Sequence, residues 1–126
     1  MPTLPWTVPN TPPRDTEVLV FASRFETRTL WGAVKFLAGT PAVWRQVRRS
    51  PGAYGATLKA KPTRRTFWTL SVWESKAALD DFVRAGAHRP AARGLAPQMA
   101  DAAFTTWRTS SDDLPLSWSE AFRRLS

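Results

Sequence analysis

Four stretches of the chain alternate between apolar and polar residues at the two-residue period of a β-strand. Three are clear, EVLVFASRF (17–25), TFWTLSVW (66–73) and DAAFTTWRTS (101–110), and AYGATLKAK (53–61) is weaker. β-Branched and aromatic residues are common in them, and such residues suit a pleated, half-buried surface. The pattern therefore predicts four strands.

The alternation leaves apolar residues on both faces of the predicted sheet. In the first strand, Leu19, Phe21 and Phe25 share one face, and the row from Val18 to Ala22 on the other face ends at Arg24. In the third strand, Trp68, Leu70 and Val72 oppose Phe67, Thr69, Ser71 and Trp73. Strands that are apolar on both faces are expected to be covered on both sides.

Helical spacing of apolar residues separates these strands. Residues 30–49 are interpreted either as one kinked helix or as two in series, because Gly39 can end a helix and Thr40-Pro41 can start one. Ser75 is predicted to cap a second helix that stops at Gly86, and residues 88–99 read as a short, broken helical segment. A terminal helix is expected over 117–125, where Ser117 and Glu120 have the spacing of a capping box.

The order of elements, β-α-β-β-α-β, predicts an α+β fold of the ferredoxin-like type with an antiparallel four-stranded sheet and an extra C-terminal helix. Residues 16–110 form the predicted domain, and 111–126 a C-terminal loop and helix. Residues 1–15 carry five prolines and are interpreted as an extended arm, which Trp6 could pin to the body. Helices would cover one sheet face. The other face is expected to pack against the sheet of a second copy, so the sequence predicts a homodimer.

Composition narrows the function classes. The chain has 126 residues, 43% of them apolar, and no cysteine, which excludes disulfides, thiolate catalysis and zinc–thiolate sites. We find no secretory signal and no apolar run long enough to span a membrane, so a cytoplasmic protein is expected. The net charge of +8 favours anionic partners, but the fourteen arginines are scattered along the chain and argue against a nucleic-acid site.

His88 is the only histidine and the best candidate for acid/base chemistry. A neutral imidazole can move protons near neutral pH or ligate haem iron. The alternative is a solvent-facing side chain that complements the dipole at the helix end. A single histidine cannot build a multi-histidine metal site, and the sequence contains no phosphate loop and no acidic metal motif, so no metal site is predicted.

Aromatic residues suggest a binding cavity between sheet and helices. Trp73, Trp68 and Trp107 lie on predicted strands, and Trp31 and Trp44 lie on the first predicted helical region. Apolar pockets with few polar groups are typical of small-molecule sites. The alternative for each tryptophan is core packing. Arg24 and Arg108 end apolar rows, where each could hold a carboxylate, a haem propionate or an oxyanion, or simply be a surface residue at a strand end.

The segment TLSVWES followed by AALDDFVRAGAH resembles the strand-three to helix-two signature of the dimeric α+β barrel proteins. That group includes the antibiotic-biosynthesis monooxygenase-like and spheroidene-monooxygenase-like families. SPGAYGATLKAK and AFTTWRTS resemble the second and last strands of the group, so the resemblance covers about residues 16–110. The positions that carry the signature are Trp73, Glu74, Ser75, Leu79, Phe82 and His88.

The resemblance implies a dimer with one cavity in each subunit. Some members oxygenate aromatic substrates without a cofactor, others bind haem through a histidine of the second helix, and others use a histidine as acid/base. Only Trp73 and His88 carry over to this chain. The first strand, EVLVFASRF, lacks the asparagine that haem-degrading members pair with them, so haem degradation is not expected.

The resulting hypothesis is a monooxygenase-like enzyme that acts on a small apolar or aromatic metabolite in a tryptophan-lined cavity. In it, His88 serves as acid/base or haem ligand, and the cofactor is either haem or none. The alternative is a non-catalytic haem- or small-ligand-binding protein on the same scaffold. A nucleic-acid-binding module is the third and least favoured possibility.

Overall fold

A four-stranded sheet carries two helices on one face and a third helix on the other. The computed structural model describes residues 3–84, 93 and 96–125. In chain order the elements are β1 (Glu17–Thr27), α1 (Leu30–Arg49), β2 (Ala53–Lys61), β3 (Thr66–Trp73), α2 (Lys76–Arg84), β4 (Met99–Ser110) and α3 (Trp118–Leu125).

The strands lie in the order β2-β3-β1-β4 and every neighbouring pair is antiparallel. Ala22 lies opposite Leu70 on one side and Thr105 on the other, which fixes the register of the two central strands. This is the ferredoxin-like α+β fold predicted from the sequence. The two-residue period placed each strand within two residues of its observed ends.

α1 is one continuous helix, so the alternative of two helices in series is wrong. Thr29 caps it by accepting a hydrogen bond from the Gly32 amide at 3.1 Å. Pro41 lies inside the helix, and Thr40 does not act as a cap because its hydroxyl donates to the Phe36 carbonyl at 2.9 Å. Proline removes one helical hydrogen bond, whereas Val43, Trp44 and Val47 continue to pack on the sheet beyond it and hold the helix together. None of the helices in the described ranges has the length and apolar character to cross a membrane.

We call the side of the sheet that carries α1 and α2 the helix face. Its core combines Leu19 and Trp73 from the strands with Val47 from α1 and with Leu79 and Phe82 from α2. Farther along the sheet, Phe67 stacks on Phe36 with ring centres 4.1 Å apart. The helix face is thus packed at two places, one under α1 and α2 together and one under Phe36 of α1.

The opposite face is covered by the chain itself. Ala121 and Leu125 of α3 pack on the buried row formed by Val18, Val20 and Leu70, and Phe122 packs edge-on against Trp68. The cover that the sequence analysis assigned to a second copy is therefore supplied by α3 and the arm. Sequence periodicity identified an apolar stripe on the terminal helix but could not say which surface it meets.

The arm extends β2 along its free edge. The Leu4 amide donates to the Leu58 carbonyl at 2.8 Å, and Thr7 exchanges backbone hydrogen bonds with Ala56 at 2.9 and 3.0 Å. Between these two contacts, Trp6 lies across Gly55 on the opposite face. Prolines in the arm are compatible with this edge position, because an edge strand needs only some of its amides as donors.

The predicted capping box at the start of α3 does not form. The Ser117 hydroxyl contacts the Ser119 hydroxyl at 3.0 Å, and the Glu120 carboxylate accepts from Arg124 at 2.7 Å and also from Arg123. Two arginines within one turn compete successfully for the carboxylate that the capping box would use.

Tyr54 is the only tyrosine of the chain, and it lies buried in β2 on the opposite face. Burial, and next the charge of Glu74, raise the pKa of Tyr54 above its ordinary value of 10.0. The folded state therefore holds the phenol proton more tightly than the unfolded state. The stabilisation is complete below the unfolded pKa and is lost as the pH rises through the folded one.

We expect the tyrosinate absorbance of the folded protein to rise with a midpoint above 10.0. Above this pH, the free energy of unfolding measured with urea should decrease more for the wild type than for Tyr54→Phe. A midpoint at the value of free tyrosine would show that the ring is accessible to solvent.

Candidate functional site

A cavity of about 880 Å³ lies between the helix face of the sheet and the two helices. Phe104 and Lys35 are exposed where it opens, and Trp73, Leu79 and Phe82 close its far end. Its wall includes Phe21, Ser23, Phe25, Phe36, Thr40, Trp44, Thr57, Thr69, Ser71, Trp73, Phe82, Ala102 and Phe104.

The wall is largely aromatic. The ring centre of Phe104 on β4 lies 6.0 Å from that of Phe21 and 5.5 Å from that of Phe25, both on β1. The ring centres of Phe25 and of Phe36 on α1 are also 6.0 Å apart. At the far end, Trp73 and Phe82 are 5.0 Å apart. These distances are typical of favourable aromatic pairs, so the rings form a preformed apolar wall.

Three hydroxyls interrupt this wall on the sheet. Ser23 of β1 and Thr69 of β3 are direct cross-strand partners, and their hydroxyls share a hydrogen bond. Ser71, two residues further along β3, accepts a hydrogen bond from Trp73 Nε1 at 2.9 Å. A strand places residues two apart on the same face, so these hydroxyls form a short polar strip on the floor of the cavity.

Trp73 lies in the cavity wall, where it is 1% exposed, and Trp44 of α1 also lines the cavity. Trp44 and Trp73 are the two tryptophans among the described lining residues. Trp31, by contrast, is 67% exposed on α1.

Trp68 and Trp107 do not line the cavity, which corrects the prediction that groups them with Trp73. Both project from the opposite face, where Trp68 packs against Phe122 and the Arg124 guanidinium lies 4.6 Å from the Trp107 ring centre. Residues 68 and 73 are an odd number of positions apart, so a strand must send them to different faces. The alternation already separates Trp68 from Trp73, but because both faces are apolar, the sequence did not show which face encloses the cavity.

Arg24 and Arg108 lie outside the cavity as well. Arg24 pairs with Asp101 at 3.4 Å and Arg108 with Glu17 at 3.2 Å, both at exposed positions. Such surface pairs contribute little to stability. Of the two interpretations of these arginines, the strand-end surface residue fits their positions.

His88 lies outside the described residues, so its predicted role stays a prediction. In the sequence it stands between Val83 and Ala96, which both line the cavity.

Charge is sparse around the cavity. Among the described lining residues, Lys35 at the rim is the only ionisable side chain. Within the described ranges, no group of three or more histidine or acidic side chains could hold a metal ion.

The sequence analysis missed Ser23, Thr69 and Ser71 as site residues. A signal for them exists. In FASRF and FWTLSVW, small hydroxyl residues occupy the same inward positions as Phe21, Phe25, Phe67 and Trp73. A polar residue inside an otherwise apolar row requires a hydrogen-bond partner, and here the partners are one another and Trp73.

Comparison with solved structures places the fold among the antibiotic-biosynthesis monooxygenase-like ferredoxin-fold proteins. SnoaB, a cofactor-independent oxygenase from Streptomyces nogalater, is 18% identical, with 80% of this chain and 100% of that chain covered and a TM-score of 0.62. A candidate antibiotic biosynthesis monooxygenase from Nitrosomonas europaea is 14% identical, with 71% and 95% covered and a TM-score of 0.62. Rv0793 from Mycobacterium tuberculosis is 18% identical, with 81% and 97% covered and a TM-score of 0.62. At these identities the likeness concerns the fold alone.

No curated protein sequence matches the chain. One domain family does, over residues 34–126, and its description is "Domain of unknown function (DUF3291)". The matched range contains the strip residues Thr69 and Ser71 and also α3, so the helix that covers the opposite face lies within the family's domain. The chain therefore belongs to the DUF3291 family, with the fold of the antibiotic-biosynthesis monooxygenase-like proteins.

Proposed function

We propose that this chain is a monooxygenase-like enzyme that binds a small apolar or aromatic molecule in the cavity between the sheet and the α1–α2 layer. The observation that carries the proposal is the cavity itself, about 880 Å³ in volume, with aromatic walls and a short polar strip. Small-molecule sites combine such an apolar enclosure with few polar groups that orient the ligand.

The described residues can bind, orient and shield the substrate. The rings of Phe21, Phe25 and Phe104 offer stacking surfaces, and the enclosure keeps water away from reactive intermediates. Without a cofactor, one atom of dioxygen would enter the product and the other would leave as water. The substrate would then supply the electrons, which requires a readily oxidised compound such as a phenol. Proton transfer is proposed for His88, because the described lining offers no imidazole or carboxylate.

Haem- or small-ligand binding without catalysis is the second candidate. The described lining supplies one cation, Lys35, for a propionate and no imidazole for the iron, so axial ligation would rest on His88 alone. Haem would supply redox chemistry at iron if it binds. Titration of the protein with haem, repeated with His88→Ala, tests this: a Soret shift that is absent in the variant supports ligation, and no shift in either rejects haem.

Filling the mouth of the cavity should block binding. Ala102 on β4 is exposed and lines the cavity, so Ala102→Trp is expected to place an indole in the opening without disturbing the buried core. We expect the affinity for methylnaphthalene, measured by equilibrium dialysis, to fall by about tenfold or more, which corresponds to about 1.4 kcal/mol of lost burial.

The matched control is Thr106→Trp, on the same strand and the same face but outside the lining. It should bind methylnaphthalene like the wild type. Equal loss in both variants, or no binding by the wild type, would reject the cavity as the site. Catalysis is then assayed as dioxygen uptake with a panel of phenols, where activity that survives Ala102→Trp would place the reaction elsewhere.

A further inference from the structure

The hydroxyl strip on the cavity floor has two layers. Thr69 and Ser71 stand on the interior strand β3, line the cavity and remain partly exposed. Ser23 is 0% exposed, and Trp73 is 1% exposed. The hydroxyls of these two partly exposed residues each contact a buried partner, Ser23 for Thr69 and Trp73 for Ser71. Buried supporting contacts of this kind fix the orientation of a binding group.

Burial decides the direction of the Ser23–Thr69 hydrogen bond. Among the described residues, the partner of the Ser23 hydroxyl is Thr69. A buried hydroxyl hydrogen requires an acceptor, so the favourable arrangement has Ser23 donating to Thr69. The hydrogen of Thr69 is then left for the cavity.

The Ser71 hydroxyl is also available as a donor. The indole N–H of Trp73 can only donate, so Ser71 accepts from it at 2.9 Å. Within the protein the acceptor for Ser71 is the Phe21 carbonyl, but the oxygens are 3.5 Å apart, well beyond the usual O–H···O distance of about 2.8 Å. A ligand oxygen could therefore replace this contact at little cost.

The remaining polar residues of the wall are committed elsewhere. Thr40 donates to the Phe36 carbonyl within α1, and Thr57 donates to the Leu4 carbonyl in the arm at 2.6 Å. Lys35 stands at the rim, so an ionised ligand group deep in the cavity would lack a described counter-charge, which is costly.

We propose that Thr69 and Ser71 donate hydrogen bonds to two acceptor oxygens of an uncharged, otherwise apolar ligand. Residues two apart on a strand are separated by about 7 Å, so the ligand oxygens should have a similar spacing. The substrate class is then a neutral ring compound that carries two acceptor oxygens at opposite ends and keeps an oxidisable C–H or O–H bond to supply the electrons of the proposed reaction. This inference rests on the proposed function, because it assumes that the cavity is the binding site.

The experiment compares para-diacetylbenzene with para-diethylbenzene, which have similar shape but differ in two carbonyl oxygens. The variants are Thr69→Val, Ser71→Ala and the double variant Ser23→Ala/Thr69→Val, which removes both members of the buried pair and so avoids an unpaired Ser23 hydroxyl. Each is expected to weaken binding of the diacetyl compound by about fivefold, as for one neutral hydrogen bond, and to leave the diethyl compound unchanged. Thr106→Val is the control, since it removes a threonine hydroxyl on the same face of the sheet but outside the cavity lining, and it should change neither affinity.

The outcomes separate this inference from the proposed function. Suppose that methylnaphthalene binds the wild type. The donor role of the strip is then wrong if the variants affect both benzene probes equally or neither, or if the wild type fails to bind the diacetyl compound. In both cases the cavity still binds apolar molecules. If the wild type does not bind methylnaphthalene, the proposed function fails and this inference fails with it.

Discussion

Gly55→Ala is expected to lower the free energy of unfolding by about 2–3 kcal/mol, because it expels Trp6 from the sheet. A Cβ atom at position 55 would lie 2.1 Å from Cζ2 of Trp6 and within 2.9 Å of two further ring atoms. Non-bonded carbon atoms do not approach so closely. The indole cannot move aside easily, since backbone hydrogen bonds at Leu4 and Thr7 hold the arm on both sides of it. Loss of Trp6 would uncover the Tyr54 end of the opposite face.

Urea unfolding of a double-mutant cycle measures this coupling. Trp6→Ala should cost a similar amount, and Gly55→Ala introduced into Trp6→Ala should cost little more, because the ring that clashes is already gone. Additive losses would contradict the contact and point to a backbone effect of alanine in β2. The arm should also become more sensitive to proteases in Gly55→Ala, while the wild type resists cleavage there.

Ala121→Glu is expected to detach α3 and to cost about 3 kcal/mol or more. Ala121 is 0% exposed and packs on the sheet together with Leu125, so a carboxylate there would be buried without a partner. Detachment exposes the apolar row that includes Val18, Val20 and Leu70. An exposed apolar sheet face of this size favours self-association.

Ser119→Glu is the matched control, because it adds the same charge to the exposed side of the same helix. We expect it to unfold like the wild type. Light scattering should give Ala121→Glu a mass above that of Ser119→Glu at equal concentration. If the two variants have equal stability and equal mass, α3 does not protect the sheet face.

The homodimer predicted from the sequence stays a prediction, and the position of α3 restricts how it could form. While α3 is docked, a second copy cannot pack its sheet on the same face. A wild-type mass of twice 14.1 kDa in light scattering would therefore require another contact surface. α1 carries the exposed apolar residues Leu30, Trp31 and Val34, which are the positions to substitute in that case.

Local pattern was enough to predict the strands, the helices and their order, because periods of two and of about 3.6 residues are properties of the backbone. The order β-α-β-β-α-β in turn restricts the topology to few arrangements, and the ferredoxin-like one is observed. The inward position of Trp73 and the outward position of Trp68 on β3 follow from the same alternation.

Contacts between segments that are distant in the chain could not be predicted from the sequence pattern. Whether Pro41 splits α1 depended on how the helix packs on either side of it. Whether Glu120 forms the capping box or pairs with an arginine depended on the competition between these partners for its carboxylate. The cover of the opposite face depended on where α3 lands, and the hydroxyl strip depended on the register that sets Ser23 beside Thr69.

By itself, then, the sequence determined a ferredoxin-like α+β chain that is apolar on both sheet faces, because these features depend on the spacing of side chains along one strand or helix. Only the tertiary structure decided which apolar face encloses a cavity and which is closed by α3 and Trp6. The physical reason is that apolar burial is non-directional: it requires each face to be covered but does not specify by what.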